Sequence, residues 1–229
     1  MASIFQSYVV NDGNREAYDA ILGVTQPHDA PQNIFIYGPK GSGKTSLMRA
    51  RAFERDLLSE KKCKLHAATE MIVALKLDAA DFFFEEIGSV DVLLVDDFEG
   101  FVSDSQIGPM FCRLMLQERA RLDLDTVISS EKPLGAFDLS GFGDDIKSFR
   151  EIRIEPLEKS DYIELASKLS GCYANEKTPI LGQDAVDFIA LQFSDSIDDV
   201  YNSIRFLLQA AGLKGDTVIT ADLARKLLN

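Results

Sequence analysis

The run Gly38-Pro39-Lys40-Gly41-Ser42-Gly43-Lys44-Thr45 stands directly behind the apolar stretch Asn33-Ile34-Phe35-Ile36-Tyr37. It dictates a strand, a tight glycine loop and a helix, in that order. Every fixed position of the G-x-x-x-x-G-K-[ST] phosphate-loop pattern is filled. Glycines let the backbone curl so that successive N–H groups point inward at a phosphate chain. Lys44 supplies a point charge to the β- and γ-phosphates, and the Thr45 hydroxyl is a Mg²⁺ ligand. The segment Ser46-Leu47-Met48-Arg49-Ala50-Arg51-Ala52-Phe53 reads as a helix, whose N-terminus adds partial positive charge beneath the phosphates. The expected phosphate-binding residues are therefore Gly38, Pro39, Lys40, Gly41, Ser42, Gly43, Lys44, Thr45 and Ser46.

Strand-like and helix-like segments alternate through the first two thirds of the chain, the signature of an α/β domain with a parallel sheet flanked by helices. The candidate strands are Asn33–Tyr37, Lys64–Ala68, Val90–Asp96, Asp125–Ser129 and Glu151–Glu155. The candidate helices are Asn14–Leu22, Lys44–Leu58, Thr69–Leu77 and Ile107–Leu122. After Pro156 the strand signals stop. Ser160–Ser170 and Gln183–Phe193 carry apolar residues at helical spacing. Ser196 caps a helix that places Ile197, Val200, Tyr201, Ile204, Leu207 and Leu208 on one face and ends before Gly212. Thr220 caps a last helix with Leu223, Leu227 and Leu228. The expected organisation is a nucleotide-binding α/β core over residues 1–155 and a small helical lid over 156–229.

A second motif follows. Val92-Leu93-Leu94-Val95-Asp96-Asp97 is an apolar strand ending in two carboxylates. Asp96, at the strand's tip, has the place of a Walker B metal ligand, and Asp97 that of the residue orienting the attacking water. Thr126-Val127-Ile128-Ser129-Ser130 is a further strand ending in hydroxyls. In a parallel sheet such ends lie at the ligand-binding edge, so Ser129 or Ser130 can sense the γ-phosphate or its water.

Composition narrows the partners. The net charge of −13 over 229 residues opposes autonomous nucleic-acid binding, which rests on a basic surface. Protein partners and a Mg²⁺-neutralised nucleotide are easier to accommodate. No apolar run reaches the roughly 18–20 residues of a membrane span, and the N-terminus lacks a signal-peptide pattern. Cys63, Cys112 and Cys172 form no C-x-x-C pair, which fits a reducing cytoplasm. His28 and His66 are expected to be surface or packed residues rather than metal ligands. The basic cluster Arg49, Arg51, Arg55, Lys61, Lys62 and Lys64 is expected to form the solvated face of the phosphate-loop helix and the chain beyond it.

Taken together, these motifs resemble the AAA+ ATPase domain of the bacterial replication initiator DnaA and its Hda-like relatives, over nearly the whole sequence. Phe5-Gln6-Ser7-Tyr8-Val9-Val10-Asn11-Asp12-Gly13-Asn14 resembles the family's adenine-packing segment, which implicates Val9, Val10 and Asn14. Ser89 to Asp97 is similar to its Walker B strand. Ile128-Ser129-Ser130-Glu131-Lys132-Pro133 stands where its sensor 1 region stands. The resemblance implies ATP or ADP with Mg²⁺ and a DNA-replication role exercised on an AAA+ partner such as DnaA or on the replication machinery. It further implies nucleotide-dependent self-association and, if ATP is hydrolysed, a slow turnover.

Departures from the pattern bear on function. The stretch Asp144 to Glu151 is shorter than the family's arginine-finger region. Arg150 is the candidate finger, with Phe149 the competing occupant and a surface ion pair the alternative role. The lid position that holds an arginine in the family holds Tyr201 here, and Arg205, one turn later, is the candidate substitute. From Leu65 to Cys112, where the family grips single-stranded DNA, Lys76 is the single basic side chain. It stands against Glu70, Asp78, Asp81, Glu85, Glu86, Asp91, Asp96, Asp97, Glu99 and Asp104. The sequence stops at Asn229, so the helix-turn-helix domain and the N-terminal helicase-interaction domain are expected to be lacking, unless the chain is cut from a longer initiator. Two other activities stay open: a non-hydrolysing, nucleotide-gated interaction module, and a DnaC-like helicase loader.

Overall fold

The computed structural model describes residues 8–24, 30–53, 62–77, 80–173, 179–194, 196–214 and 217–228. Five parallel strands form the main sheet: β1 (Asn33–Tyr37), β2 (Cys63–Ala67), β3 (Val92–Asp96), β4 (Asp125–Ser130) and β5 (Arg150–Arg153). Their spatial order is β2-β3-β4-β1-β5. Burial follows position in that order. Strand β4 is buried throughout and β3 up to its last residue, whereas edge strand β5 buries Ile152 alone. This is why β3 reads as a continuous apolar run rather than an alternation: both of its faces are covered.

Helix α1 (Arg15–Gly23) precedes β1, and the helices between the strands are α2 (Lys44–Phe53), α3 (Ala68–Lys76), α4 (Ala80–Ile87), α5 (Glu99–Ser103) and α6 (Gly108–Arg121). The parallel α/β fold expected from the sequence is the fold observed. Within it, α4 and α5 are additional to the helices read from periodicity. Both are short, at 8 and 5 residues, too brief for a 3.6-residue repeat to stand out. The expected extension of the phosphate-loop helix to Leu58 lies outside the described residues.

An aromatic core sits beneath the sheet's ligand edge. Phe98, directly after the Asp-Asp pair, has its ring 5.5 Å from Phe35, 5.4 Å from Phe137 and 5.3 Å from Phe142. Such pairs add about 0.5–1.5 kcal/mol each beyond area burial, so the turn after β3 is anchored from below. Helices α5 and α6 touch backbone to backbone. A Cβ on Gly108 would lie 1.8 Å from the Phe101 carbonyl oxygen, and one on Gly100 would lie 2.7 Å from the Thr69 amide nitrogen.

The chain divides into two compact units. One comprises Asp12–Pro39 and Lys44–Glu155, and holds the sheet. The other comprises Pro156–Asn229 with Lys40–Gly43 and the chain up to Asn11. The second unit is built on α7 (Lys159–Tyr173), α8 (Gln183–Gln192), α9 (Ile197–Lys214) and α10 (Ala221–Leu228). Its core includes Tyr162, Leu165, Ile189, Val200, Ile204 and Leu207. The caps read from sequence are present. Ser196 Oγ accepts the Asp199 N–H at 3.3 Å, and Thr220 Oγ1 accepts the Leu223 N–H at 3.4 Å.

Three expectations for this unit need correction. It contains two short parallel strands, β6 (Ile180–Leu181) and β7 (Val218–Ile219), which two-residue segments cannot announce by alternation. Helix α9 runs through Gly212 to Lys214 rather than ending before the glycine. Tyr201 is exposed rather than part of the buried face.

Candidate nucleotide site

The phosphate loop leaves β1 and turns into α2. Gly41 and Gly43 have φ of 81° and 89°, left-handed values that a side chain would oppose. The loop's start is tied to the neighbouring strand: the Gly38 N–H donates to the Ser130 carbonyl oxygen at 3.2 Å. Lys44 opens α2 and folds back over the loop, its Nζ donating to the carbonyl oxygens of Gly38 at 2.7 Å and Pro39 at 3.0 Å. Burial pulls the Lys44 pKa down, opposed by the negative charge of Glu131, Asp96, Glu99 and Asp97. The ammonium is therefore partly desolvated and faces carboxylates across the site.

Asp96 and Asp97 stand where β3 ends. Register pairs Val95 with Ile128, which brings the β3 and β4 tips together. Ser129 Oγ donates to Asp96 Oδ1 and accepts the Asp97 N–H at 3.1 Å, while the Phe98 N–H donates to the Ser129 carbonyl at 2.8 Å. Asp97 has φ of 66°, a left-handed conformation that Asp adopts more readily than most residues. Its carboxyl pKa is raised, first by desolvation, then by a hydrogen bond to Glu99 and the charges of Glu99, Asp96 and Glu131. Two carboxyl groups can share a hydrogen bond only while one keeps a proton.

Glu99 was missed by sequence reasoning. Its Oε1 accepts Ser130 Oγ–H at 2.7 Å and the Glu131 N–H at 2.8 Å. The signal available was its position two residues beyond Asp97, which becomes informative only once β4 is known to lie alongside. Ser130 also has the Lys132 carbonyl within 2.7 Å and accepts the Lys132 N–H at 3.1 Å.

The structure thus brings Lys44, Asp96, Asp97, Ser129 and Ser130 together at one sheet edge. Within the loop and first turn of α2, Gly38, Ser42 and Gly43 are buried, Gly41, Thr45 and Ser46 half-buried, and Pro39 and Lys40 exposed. Arg150 lies elsewhere. It pairs in register with Ile34, at the start of β1, whereas Arg153 pairs with Tyr37. It therefore sits about 10 Å back along the strand from the loop edge, on the surface, with its guanidinium 2.7 Å from Glu16. Asn14 is buried at the head of α1, and its carbonyl accepts the Tyr18 N–H at 2.9 Å.

In the helical unit, Val9 is buried in the core and Val10 half-buried. Arg205 is exposed, its guanidinium 6.0 Å over the Tyr201 ring. Phe5, Gln6 and Ser7 lie outside the described residues, as do His28, Arg55 and Lys61. One expectation about the basic cluster fails: Arg51 is 1% exposed, because it sits on the face of α2 turned into the protein. Arg49 and Lys62 are exposed, and Lys64 is paired with Glu86.

Comparison with known proteins agrees with this geometry. A family model, the bacterial DnaA ATPase domain, matches residues 2–151. The chromosomal replication initiator protein DnaA of Campylobacter jejuni subsp. jejuni (serotype O:6) is 29% identical, covering 98% of this chain and 51% of that protein. DnaA of Nautilia profundicola is 24% identical with the same coverage. The chain spans about half the length of the curated relatives it matches.

Among solved structures, domain III of Thermotoga maritima DnaA superposes with a TM-score of 0.75 at 22% identity, covering 100% of this chain and 96% of that one. AMPPCP-bound DnaA from Aquifex aeolicus gives 0.65 at 22%, covering 91% and 65%. Aeropyrum pernix ORC1 in complex with DNA gives 0.66 at 12%, covering 97% and 66%. At these identities the structural likeness speaks to the fold alone. With the family model covering most of the chain and the phosphate loop and double-Asp strand in place, the chain belongs to the bacterial DnaA ATPase-domain family.

Proposed function

We propose that this chain binds ATP or ADP with Mg²⁺ as a nucleotide-dependent AAA+ module, and that it acts in replication initiation or its regulation through protein partners. An AAA+ partner such as DnaA is the chemistry-matched choice. In this reading residues 1–155 are the nucleotide-binding core, residues 156–229 the lid, and the protein works in the cytoplasm. The observation that carries the reading is the Lys44 ammonium, held on the phosphate loop opposite the carboxylates at the β3 tip.

The residues fit Mg²⁺. Among the described residues no cluster of three or more His, Cys, Asp or Glu forms a self-contained metal cage. Mg²⁺ instead is held by one or two protein groups plus phosphate oxygens and water. Asp96 and the Thr45 hydroxyl would hold it, and its charge would offset that of the β- and γ-phosphates. Lys44 neutralises charge developing on the transferred phosphoryl group. Asp97 orients a water for attack on the γ-phosphate, and a carboxyl with a raised pKa accepts a proton more readily.

Arg150 would act as a finger on a neighbouring subunit, since it stands at the end of β5 remote from its own loop edge. Val9, Val10 and Asn14 would line the adenine, and Arg205 would reach the phosphates from the lid. A second reading, nucleotide binding without turnover, is favoured by the Arg150–Glu16 ion pair, which occupies the candidate finger.

Calorimetry with MgATP and MgADP tests the first claim. Lys44→Ala is expected to weaken binding by about 10²-fold or more, since it removes a charged contact to phosphate, and equal heats from both proteins would remove the site. Turnover measured alone and with DnaA, against Asp97→Ala, tests the second. A rate untouched by that substitution takes Asp97 out of the mechanism and leaves the binding-module reading.

A further inference from the structure

Glu99 opens α5, where an acidic side chain ordinarily faces its own helix's free N–H groups. Here the carboxylate turns away from its helix. Oε1 takes two hydrogen bonds from the end of β4, from Ser130 Oγ at 2.7 Å and from the Glu131 N–H at 2.8 Å, across 31 and 32 residues of chain. Oε2 is buried and takes no N–H or hydroxyl donor, and the carboxyl group lies beside that of Asp97. Ser130 in turn accepts the Gly38 N–H on its carbonyl at 3.2 Å, where the phosphate loop begins.

Besides the Phe98 N–H bond to the Ser129 carbonyl, the Asp97 turn therefore meets the β4 tip through two side-chain bridges. The Ser129 side chain is one and Glu99 is the other. Two neighbouring acceptors sit at 2.7 Å from the Ser130 oxygen, Glu99 Oε1 and the Lys132 carbonyl, while the hydroxyl has one proton to give. The backbone bond from Glu131 to Glu99 has no such competition.

We propose that Glu99 is a positioning residue for hydrolysis, which couples the turn presenting Asp97 to the β4 tip and, through Ser130, to the start of the phosphate loop. The proposal rests on the nucleotide-site reading given above. Glu99 touches neither phosphate nor water in this role. It holds the segment 129–132 and the Asp97 turn at a fixed separation, so its loss lowers turnover more than nucleotide affinity.

Glu99→Ala, Glu99→Gln and Ser130→Ala in the whole chain test this by amide hydrogen exchange, by nucleotide calorimetry and by turnover. In E99A the amides of residues 129–132 are expected to exchange about 10-fold faster, as a locally opened segment does. Turnover is expected to fall by about 10-fold with the nucleotide Kd within about threefold of wild type, the pattern of an interaction that matters in the transition state alone. E99Q keeps the accepting Oε1 and is expected within about threefold of wild type in exchange, and to turn over faster than E99A. E99A combined with S130A should fall short of the sum of the two single effects, because the two side chains act through one bond.

Exchange in 129–132 unchanged in E99A overturns the proposal, as does an E99Q protein as impaired as E99A, or a loss of affinity matching the loss of rate. Should E99A fail to fold, S130A against wild type decides, through faster exchange at Glu131 and Lys132. If wild-type protein binds no nucleotide, the nucleotide-site reading fails by itself, while the exchange comparison still judges the Glu99 bridge.

Discussion

Asp97 carries tightly constrained chemistry. It combines a left-handed backbone, a raised carboxyl pKa and three other acidic side chains near its own. A carboxyl whose pKa is higher folded than unfolded keeps its proton longer in the native state. The stability it contributes is fully present below the ordinary carboxylate pKa and is lost as pH rises through the raised value. Asp97→Asn removes that loss. Its melting temperature at neutral pH is expected to rise above wild type, and the difference to vanish as pH falls below the ordinary carboxylate range. Scanning calorimetry over pH 3 to pH 8, a window of about five units around that range, checks this, and a melting point lowered at neutral pH contradicts it. Lys44 shows the opposite displacement, its ammonium pKa lowered by burial. Phosphate binding adds negative charge and opposes that shift, so nucleotide affinity is expected to fall as pH climbs toward the Lys44 pKa of the nucleotide-free protein.

At the scale of elements, the ends of β3 and β4 and the first turn of α2 do the positioning, while packing beneath them sets their separation. Phe98 is the hinge pin: its ring contacts Phe35 on β1 and Phe137 and Phe142 beyond β4. The close approach of α5 and α6 needs Gly108, where a Cβ would overlap the Phe101 carbonyl. Gly108→Ala is therefore expected to cost about 2–3 kcal/mol, the upper range of overpacking, in denaturant unfolding. A change below about 0.5 kcal/mol, typical of neutral surface sites, would show that the helices part freely. The motifs at these element ends were legible in the sequence because each is contiguous: loop then helix, apolar run then Asp-Asp. Helix α5 and the burial of Arg51 were not, since five residues carry no periodicity and a face is buried only by what packs on it.

For the whole molecule, charge is the governing quantity. A net charge of −13 and the acidic stretch that contains Glu86, Asp91 and Asp104 repel a polyanion. Fluorescence anisotropy with a single-stranded oligonucleotide at physiological salt is expected to give a Kd weaker than about 10⁻⁵ M, within or below the non-specific range. A tighter, steeply salt-dependent complex would instead reveal a local basic groove. The sequence by itself determined the parallel α/β class, the phosphate loop, the Asp96-Asp97 strand end and the helix caps. These depend on neighbours within a few residues, where periodicity and side-chain chemistry are written directly in the chain. The tertiary structure alone decided that Glu99 grips Ser130 and Glu131, that Arg150 stands back from the loop edge beside Glu16, and that β6 and β7 pair. Those relations join residues that are far apart in the chain, and only the register of the folded strands brings them within hydrogen-bonding distance.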